Sequence, residues 1–263
     1  MFFMLGLVEY SKNIPKFAIL IKTMKTEIAE NYQNHQAFIK SVPERMACGE
    51  GEVLYHARNE VRRLNHEGQV FIVKQFKRVN AIQQVIYTFF RPTKAARAYR
   101  FAAEFRKRGI TTPREIAYIE TAEHGLFTTG YFISEEARGR ETHLDLREVK
   151  DFDTALADAV ARQVVLMHSK GILHGDLNLS NFLYERQADG QFSFVMIDIN
   201  RSHFTDGWPT DDQCLRNMVR MTHRRDLYTY LVRSYAEMRG WDAEATASKA
   251  LQLLYQFEHR RVK

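Results

Sequence analysis

The chain has 263 residues, 45% hydrophobic and 12% aromatic, which is enough to bury one large core or two modest lobes and does not match a disordered or fibrous composition. Lys and Arg number 38 against 32 Asp and Glu, a net charge of +6 that suits an anionic partner but equally an ordinary soluble surface. The two cysteines, Cys48 and Cys214, belong to no CxxC or Cys/His cluster, so the sequence offers neither a zinc site nor a disulfide framework, and a reducing cytosol fits.

The opening MFFMLGLVEYSKNIPKFAILIKTM is broken by Glu9, Lys12, Pro15 and Lys16, well short of the ~20 apolar residues of a spanning helix. No positive charge precedes it and no small-residue cleavage site follows, so a secretory signal is not expected. Met24 opens a more ordinary beginning, and residues 1–23 read as an upstream extension. From about Phe38 to Lys77 the signals are strand-like: NEVRRL, the turn NHEG, then QVFIVKQFK with Lys74 in mid-strand, an antiparallel hairpin. Residues 94–108 carry alanine and aromatics at helical spacing and stop at Gly109, a C′ position. REIAYIET, the turn AEHG and LFTTGYFISEE predict two further strands.

Beyond ARGRETHLDL the period changes. Leu156, Val160, Val164 and Met167 fall on one face of a helix that ends near Gly171. HGDLNLSN follows as a loop, then NFLYE, the turn RQADG and QFSFVMIDIN as a strand pair ending at Asp198. Residues 211–259 read as mainly helical, with a second helix after GWD. The expected architecture is α+β and bilobal: residues 24–135 a small antiparallel β lobe with one helix, residues 136–263 a larger, mainly α lobe.

Four polar residues stand out. Lys74 lies in an apolar strand, where an ammonium needs an anionic partner. Asp176 and Asn181 sit five residues apart in a loop whose Leu177, Leu179 and Phe182 anchor it to the core beneath. Asp198 ends the apolar strand FVMID. Phosphoryl transfer needs positioning and charge neutralisation more than covalent chemistry. In that scheme Lys74 holds the α- and β-phosphates, Asp176 accepts the proton of the attacking hydroxyl, and Asn181 and Asp198 are the Mg²⁺ ligands. Each feature alone also fits an edge lysine, an Asx turn or a helix cap; their order in the chain is what carries the reading.

LMHSKGILHGDLNLSNFL and MIDIN together resemble the catalytic segment of the protein-kinase-like superfamily. With GEVLYHARNEVRRL, FIVKQFK, KAARAYRFAAEFRKRGITTPREIAYIE and NMVRM…YAEMRGWD, the chain from about residue 25 to 245 is similar to the lipopolysaccharide core kinases (Kdo/WaaP, InaA-like). The resemblance implies an ATP- and Mg²⁺-dependent kinase that phosphorylates a Kdo or heptose hydroxyl of the inner core. It implies an anionic glycolipid acceptor, no nucleic-acid partner, and a cytoplasmic location with peripheral contact at the inner membrane surface.

Within that scheme Gly49 and Gly51 are expected as the phosphate-covering loop. Glu104, the only acid of helix 94–108, is expected as the partner of Lys74. The hinge Ser134, Glu135 and Glu136 binds adenine. Gly175 and Asn178 replace an Arg and a Lys of protein kinases, and DIN replaces DFG, with Asn200 expected to take the left-handed backbone that glycine allows. Arg91, Lys94, Arg97, Arg100, Arg106, Lys107 and Arg108, and a helical row of Arg216, Arg220 and Arg224, are the two basic groups available to an anionic acceptor. The alternatives are a protein or aminoglycoside-like kinase, favoured by an acidic acceptor cleft, and a nucleotide-binding scaffold without transfer, which would have no use for Asp176.

Overall fold

Runs of β-branched and aromatic residues, closed by two-residue turns, assemble one antiparallel sheet. The computed structural model describes residues 22–259. Strands β1 (Lys22–Ile28), β2 (Glu52–His56), β3 (Glu60–His66), β4 (Gln69–Gln75), β5 (Glu115–Glu123) and β6 (Leu126–Ser134) lie in the order β1-β5-β6-β4-β3-β2. Glu67 and Gly68 turn β3 into β4, and His124 and Gly125 turn β5 into β6, all four with positive φ. That is the backbone a two-residue hairpin requires. Of the expected upstream extension, residues 1–21 lie outside the described residues, while Lys22 and Thr23 already belong to β1, opposite Glu123 and Ala122.

Three helices accompany this sheet rather than the single one expected: α1 (Gln36–Ala47), α2 (Ala81–Phe89) and α3 (Lys94–Lys107). The strand-like reading from Phe38 is therefore wrong at its start. Phe38, Ile39, Val42 and Met46 have helical spacing and form the buried face of α1. The start of α3 is set by Thr93, whose hydroxyl accepts from the Ala96 amide. Its end is set at Gly109, where Gly109 N–H bonds Arg106 O and Ile110 N–H bonds Phe105 O, a Schellman closure.

The chain leaves β6 through Glu135–Ala137 and enters a second, mainly helical body. It contains β7 (Arg140–Glu141), α4 (Thr142–Leu146), α5 (Thr154–Ser169), β8 (Ile172–Leu173), β9 (Phe182–Arg186), β10 (Phe192–Met196), β11 (His203–Phe204), α6 (Asp211–Met218), α7 (Arg225–Met238) and α8 (Ala243–His259). Strands pair as β10-β9-β7 and as β11-β8. Asp153 caps α5 by accepting from Ala155 and Leu156. The stripe Leu156, Val160, Val164 and Met167 is fully buried against Leu227, Leu231 and Leu254 of α7 and α8. This core is the rigid base on which the polar loop rests.

One polar chain crosses it. Arg239 donates to the Tyr235 hydroxyl at 2.7 Å, Tyr235 lies 2.9 Å from His168 Nδ1, and His168 Nε2 lies 3.1 Å from Asn217 Oδ1. This pattern fits a neutral imidazole that accepts at Nδ1 and donates at Nε2. Burial pushes the His168 pKa down from 6.5 to about 4. In the unfolded chain the same group takes up its proton at higher pH, so stability is full above about pH 6.5 and falls toward pH 4. Urea denaturation across that window is expected to show this loss, with His168 responsible for up to about 3 kcal/mol. A His168→Gln variant should flatten the slope; an unchanged slope would contradict the neutral, buried assignment.

Candidate active site

Lys74 sits at the middle of the sheet, with Val61 of β3 on one side and Phe132 of β6 on the other. Its ammonium donates to Asp198 Oδ1 at 2.7 Å. Asp198 stands just past β10 with φ of 54°, so the left-handed residue of the DIN segment is Asp198 and not Asn200. Aspartate is among the few side chains that tolerate this backbone. Asn200 falls in the following 3₁₀ turn, Ile199–Arg201, and its amide donates to Asp198 Oδ1 at 2.6 Å. Burial alone would raise the Asp198 carboxyl; the charge and hydrogen bond of Lys74 outweigh it and hold the group below the usual carboxylate range.

The loop after β8 is fastened to this strand end. His174 is buried, and its Nε2 donates to the carbonyl of Ile197 at 2.9 Å. Gly175 has φ of 40°, and a Cβ there would lie 2.0 Å from the Arg201 carbonyl oxygen, so only glycine fits the crossing. Asn178 accepts from the Ser180 amide at 3.0 Å and starts the turn Leu179–Asn181. Asn181 Nδ2 donates to the Asp176 carbonyl at 2.8 Å, which leaves its Oδ1 as the atom that can meet a cation. Leu177, Leu179 and Phe182 are wholly buried below. Asp176 Oδ2 lies 3.3 Å from Arg201 and Oδ1 lies 3.9 Å from Arg220.

Between the two bodies runs a cleft of about 560 Å³ lined by Lys74, Asn181 and Asp198, by Ser134, Glu135 and Glu136 of the hinge, and by Leu54, Tyr55 and Phe132. At the hinge the Glu135 amide is already donated to the Arg114 carbonyl, and the Glu135 carboxylate accepts from the Tyr32 hydroxyl. Glu136 is held by Arg63, whose Nε lies 2.8 Å away. Any adenine contact of Glu135 is thereby narrowed to its carbonyl.

Three expected members are not there. Gly49 closes α1 and Gly51 starts β2, where a Cβ would lie 2.5 Å from the Arg63 carbonyl oxygen, and neither lines the cleft. The hairpin runs the other way: Val61 is level with Lys74 and Glu52 with Arg63, so the turn over the phosphate end is 57–59. Glu104 pairs with Arg108 at 2.6 Å and not with Lys74. The α3 residue that lines the cleft is Ala98, six positions and about 9 Å of helix axis earlier.

The basic groups also divide. Arg106 pairs with Glu115, Arg216 with Asp212, and Arg224 donates to the carbonyls of Leu146 and Lys150. Arg216, Arg220 and Arg224 do not share a helix, because α6 ends at Met218. Arg201 was missed. It is one of three arginines in the stretch from Asp198 to Arg220, and nothing in the local pattern marks it as the neighbour of Asp176.

An antiparallel sheet with a strand lysine, a hinge, a helical body, and a loop Asp and Asn facing a strand-end Asp define a protein-kinase-like fold. A solved structure of WaaP in complex with acyl carrier protein matches it with a TM-score of 0.58 at 18% identity, over 90% of this chain and 97% of that one. The description "Lipopolysaccharide kinase (Kdo/WaaP) family" matches residues 44–252, and the chain belongs to that family of kinases. Two curated relatives, both 3-deoxy-D-manno-octulosonic acid kinases of Vibrio vulnificus, are 22% identical over 156 residues (strain CMCP6) and 23% identical over 163 residues (strain YJ016). The matches span 58% and 59% of this chain and about two thirds, 64% and 67%, of those proteins.

Proposed function

We propose that the protein transfers the γ-phosphoryl group of ATP, with Mg²⁺, to a sugar hydroxyl of the lipopolysaccharide inner core, with 3-deoxy-D-manno-octulosonic acid (Kdo) as acceptor in preference to heptose. The observation that carries this is the convergence of Lys74, Asp198 and Asn181 in one cleft, with Asp176 fixed to Asn181 through its carbonyl. The choice of Kdo rests on the names of the two relatives. The acceptor oxygen attacks phosphorus, its proton passes to the Asp176 carboxylate, and the bond from phosphorus to the β-phosphate oxygen breaks, leaving ADP. Asp198 and Asn181 Oδ1 are oxygen donors of the kind Mg²⁺ takes, and the bound ion would neutralise the phosphates. Lys74 would then hold the α- and β-phosphates. The arginines beside Asp176 disfavour the cationic, aminoglycoside-like acceptor.

Labelled ATP with Kdo-lipid A is expected to give a labelled glycolipid. Asp176→Asn should lose about 10²- to 10⁴-fold in rate and Lys74→Met a comparable amount, whereas Glu104→Gln should stay within about threefold. Label on a basic protein alone, or nucleotide binding without transfer, would overturn the reading.

The membrane contact is assigned, in the same reading, to α2. No helix among the described residues is long and apolar enough to cross a membrane. Helix α2 is amphipathic the wrong way round for a surface helix. Thr88 faces the protein, accepting from the Phe127 amide, while Ile82, Val85, Phe89 and Phe90 are 74%, 41%, 67% and 76% exposed. Exposed Lys77, Arg78 and Arg91 flank it. An apolar stripe between cations is complementary to an anionic lipid surface, where the stripe enters the interface and the cations meet headgroups. Flotation with vesicles rich in anionic lipid should carry the protein up, and Phe89→Ser with Phe90→Ser should cut binding at least tenfold. Indifference to vesicles, or capture only by an acidic protein, would refute this assignment.

A further inference from the structure

The carboxylate placed to receive the acceptor's proton already has a guanidinium near each oxygen, hydrogen-bonded to Oδ2 and at ion-pair distance from Oδ1. Arg201 reaches Asp176 Oδ2 and Arg220 reaches Oδ1. The Arg201 backbone is pressed against Gly175, where a side chain would collide with its carbonyl, and the Arg220 guanidinium stacks over the Phe257 ring of α8 at 4.9 Å. Helix α3 closes the group from the other body, packing against the Ile199–Arg201 turn. It brings Arg97, whose Nε is buried with no hydrogen-bond partner, and Lys94, a partly buried ammonium that feels the charges of Arg58, Arg201 and Arg97.

Two arginines therefore face the single carboxylate of Asp176, while Lys94 of α3 feels the charge of Asp198. Lys74 is assigned to the α- and β-phosphates; the γ-phosphate passes close to Asp176, so a phosphate contact of these arginines and an acceptor contact are told apart by their response to the acceptor's charge. A hydroxyl that approaches Asp176 must also compete with the Arg201 guanidinium for Oδ2. A neutral sugar brings nothing to exchange. A sugar acid brings a carboxylate, and a guanidinium is the side chain best shaped to take one with two parallel hydrogen bonds.

We infer that Arg201 and Arg220 form an acceptor-carboxylate subsite, in which the carboxylate of a sugar acid replaces Asp176 as their partner and so frees Asp176 to accept from the neighbouring hydroxyl. The inference rests on the reading of the protein as a sugar kinase and adds to it a rule of specificity: the acceptor is chosen by its acid group as well as by its hydroxyl. Arg201 and Arg220 act on the acceptor and, through its binding, on the position of Asp176.

The test exchanges the charge on each side. Transfer is measured with Kdo-lipid A and with its Kdo methyl ester, for the native protein, Arg201→Gln and Arg220→Gln, with melting temperature and ATP affinity recorded to establish that the variants fold and bind nucleotide. For the native protein the ester should lower kcat/KM by about 10- to 100-fold, the size of a lost charge-assisted pair. In either variant the acid should lose about as much, and the ester should cost less than about threefold further. If the ester is used as well as the acid by the native protein, or if the variants lose kcat equally on both acceptors as a phosphate contact would, the subsite is refuted.

Should no glycolipid be phosphorylated at all, the kinase reading fails by itself, and the subsite is still decided by calorimetry. Free Kdo should bind the native protein at least tenfold more tightly than its methyl ester and bind Arg220→Gln no better than the ester does. Equal affinities of the native protein for the two sugars would refute it.

Discussion

The contact on which the site depends is the ion pair between Lys74 and Asp198. It joins the middle of the six-stranded sheet to the end of β10 in the other body, two positions 124 residues apart in sequence. The Lys74 side chain is 20% exposed and its ammonium lies over the Phe76 ring, and the half-buried Asp198 is the anion that satisfies it. In protein kinases the lysine has a helical glutamate to turn to. Here the corresponding face of α3 presents Ala98, so the strand-end aspartate takes that duty. Nucleotide and metal bound as proposed would release this pair without loss, because phosphates would supply an anion for Lys74 and the ion a cation for Asp198. Resting and loaded states would then differ by an exchange of partners and not by an exposed charge.

The surrounding backbone makes that exchange local. Asp198 is left-handed, the turn after it returns the Asn200 amide to the Asp198 carboxylate, and Gly175 lets the loop that carries Asp176 lie directly on Arg201. His174 ties the same loop to Ile197 from inside the core. With no Phe in the DIN segment there is no large side chain to swing in or out. The loop and the strand end at Asp198 share one support in the buried Leu177, Leu179 and Phe182.

Much of this was legible in the sequence wherever a pattern is local. The strand around Lys74 shows in its β-branched and aromatic residues, α3 in its alanines and Gly109, and α5 in one apolar stripe. The loop shows in its leucines, because a polar loop that returns an apolar residue every second position must sit on a core. What failed was pattern read against the wrong period or without the third dimension. Helix α1 carries helical spacing that the apolar, β-branched look of its residues concealed, and α2 was passed over because its apolar face points outward. Gly49 and Gly51 look like a phosphate loop until the hairpin register sets them at its far end. Glu104 has the right charge in the wrong turn of α3. The meeting of Arg201 and Arg220 at Asp176 joins segments that only the tertiary fold brings together, so no spacing rule could have found it.

The central claim is that Lys74 and Asp198 trade each other for nucleotide and metal. A crystal structure with Mg²⁺ and a non-hydrolysable ATP analogue tests it most directly. The account predicts that Lys74 Nζ leaves Asp198 for the α- and β-phosphate oxygens, that Asp198 and Asn181 Oδ1 coordinate the ion, and that adenine meets the Glu135 carbonyl. A nucleotide bound elsewhere, or one seated in the cleft with the Lys74–Asp198 pair still closed and no ion on Asp198, would contradict it.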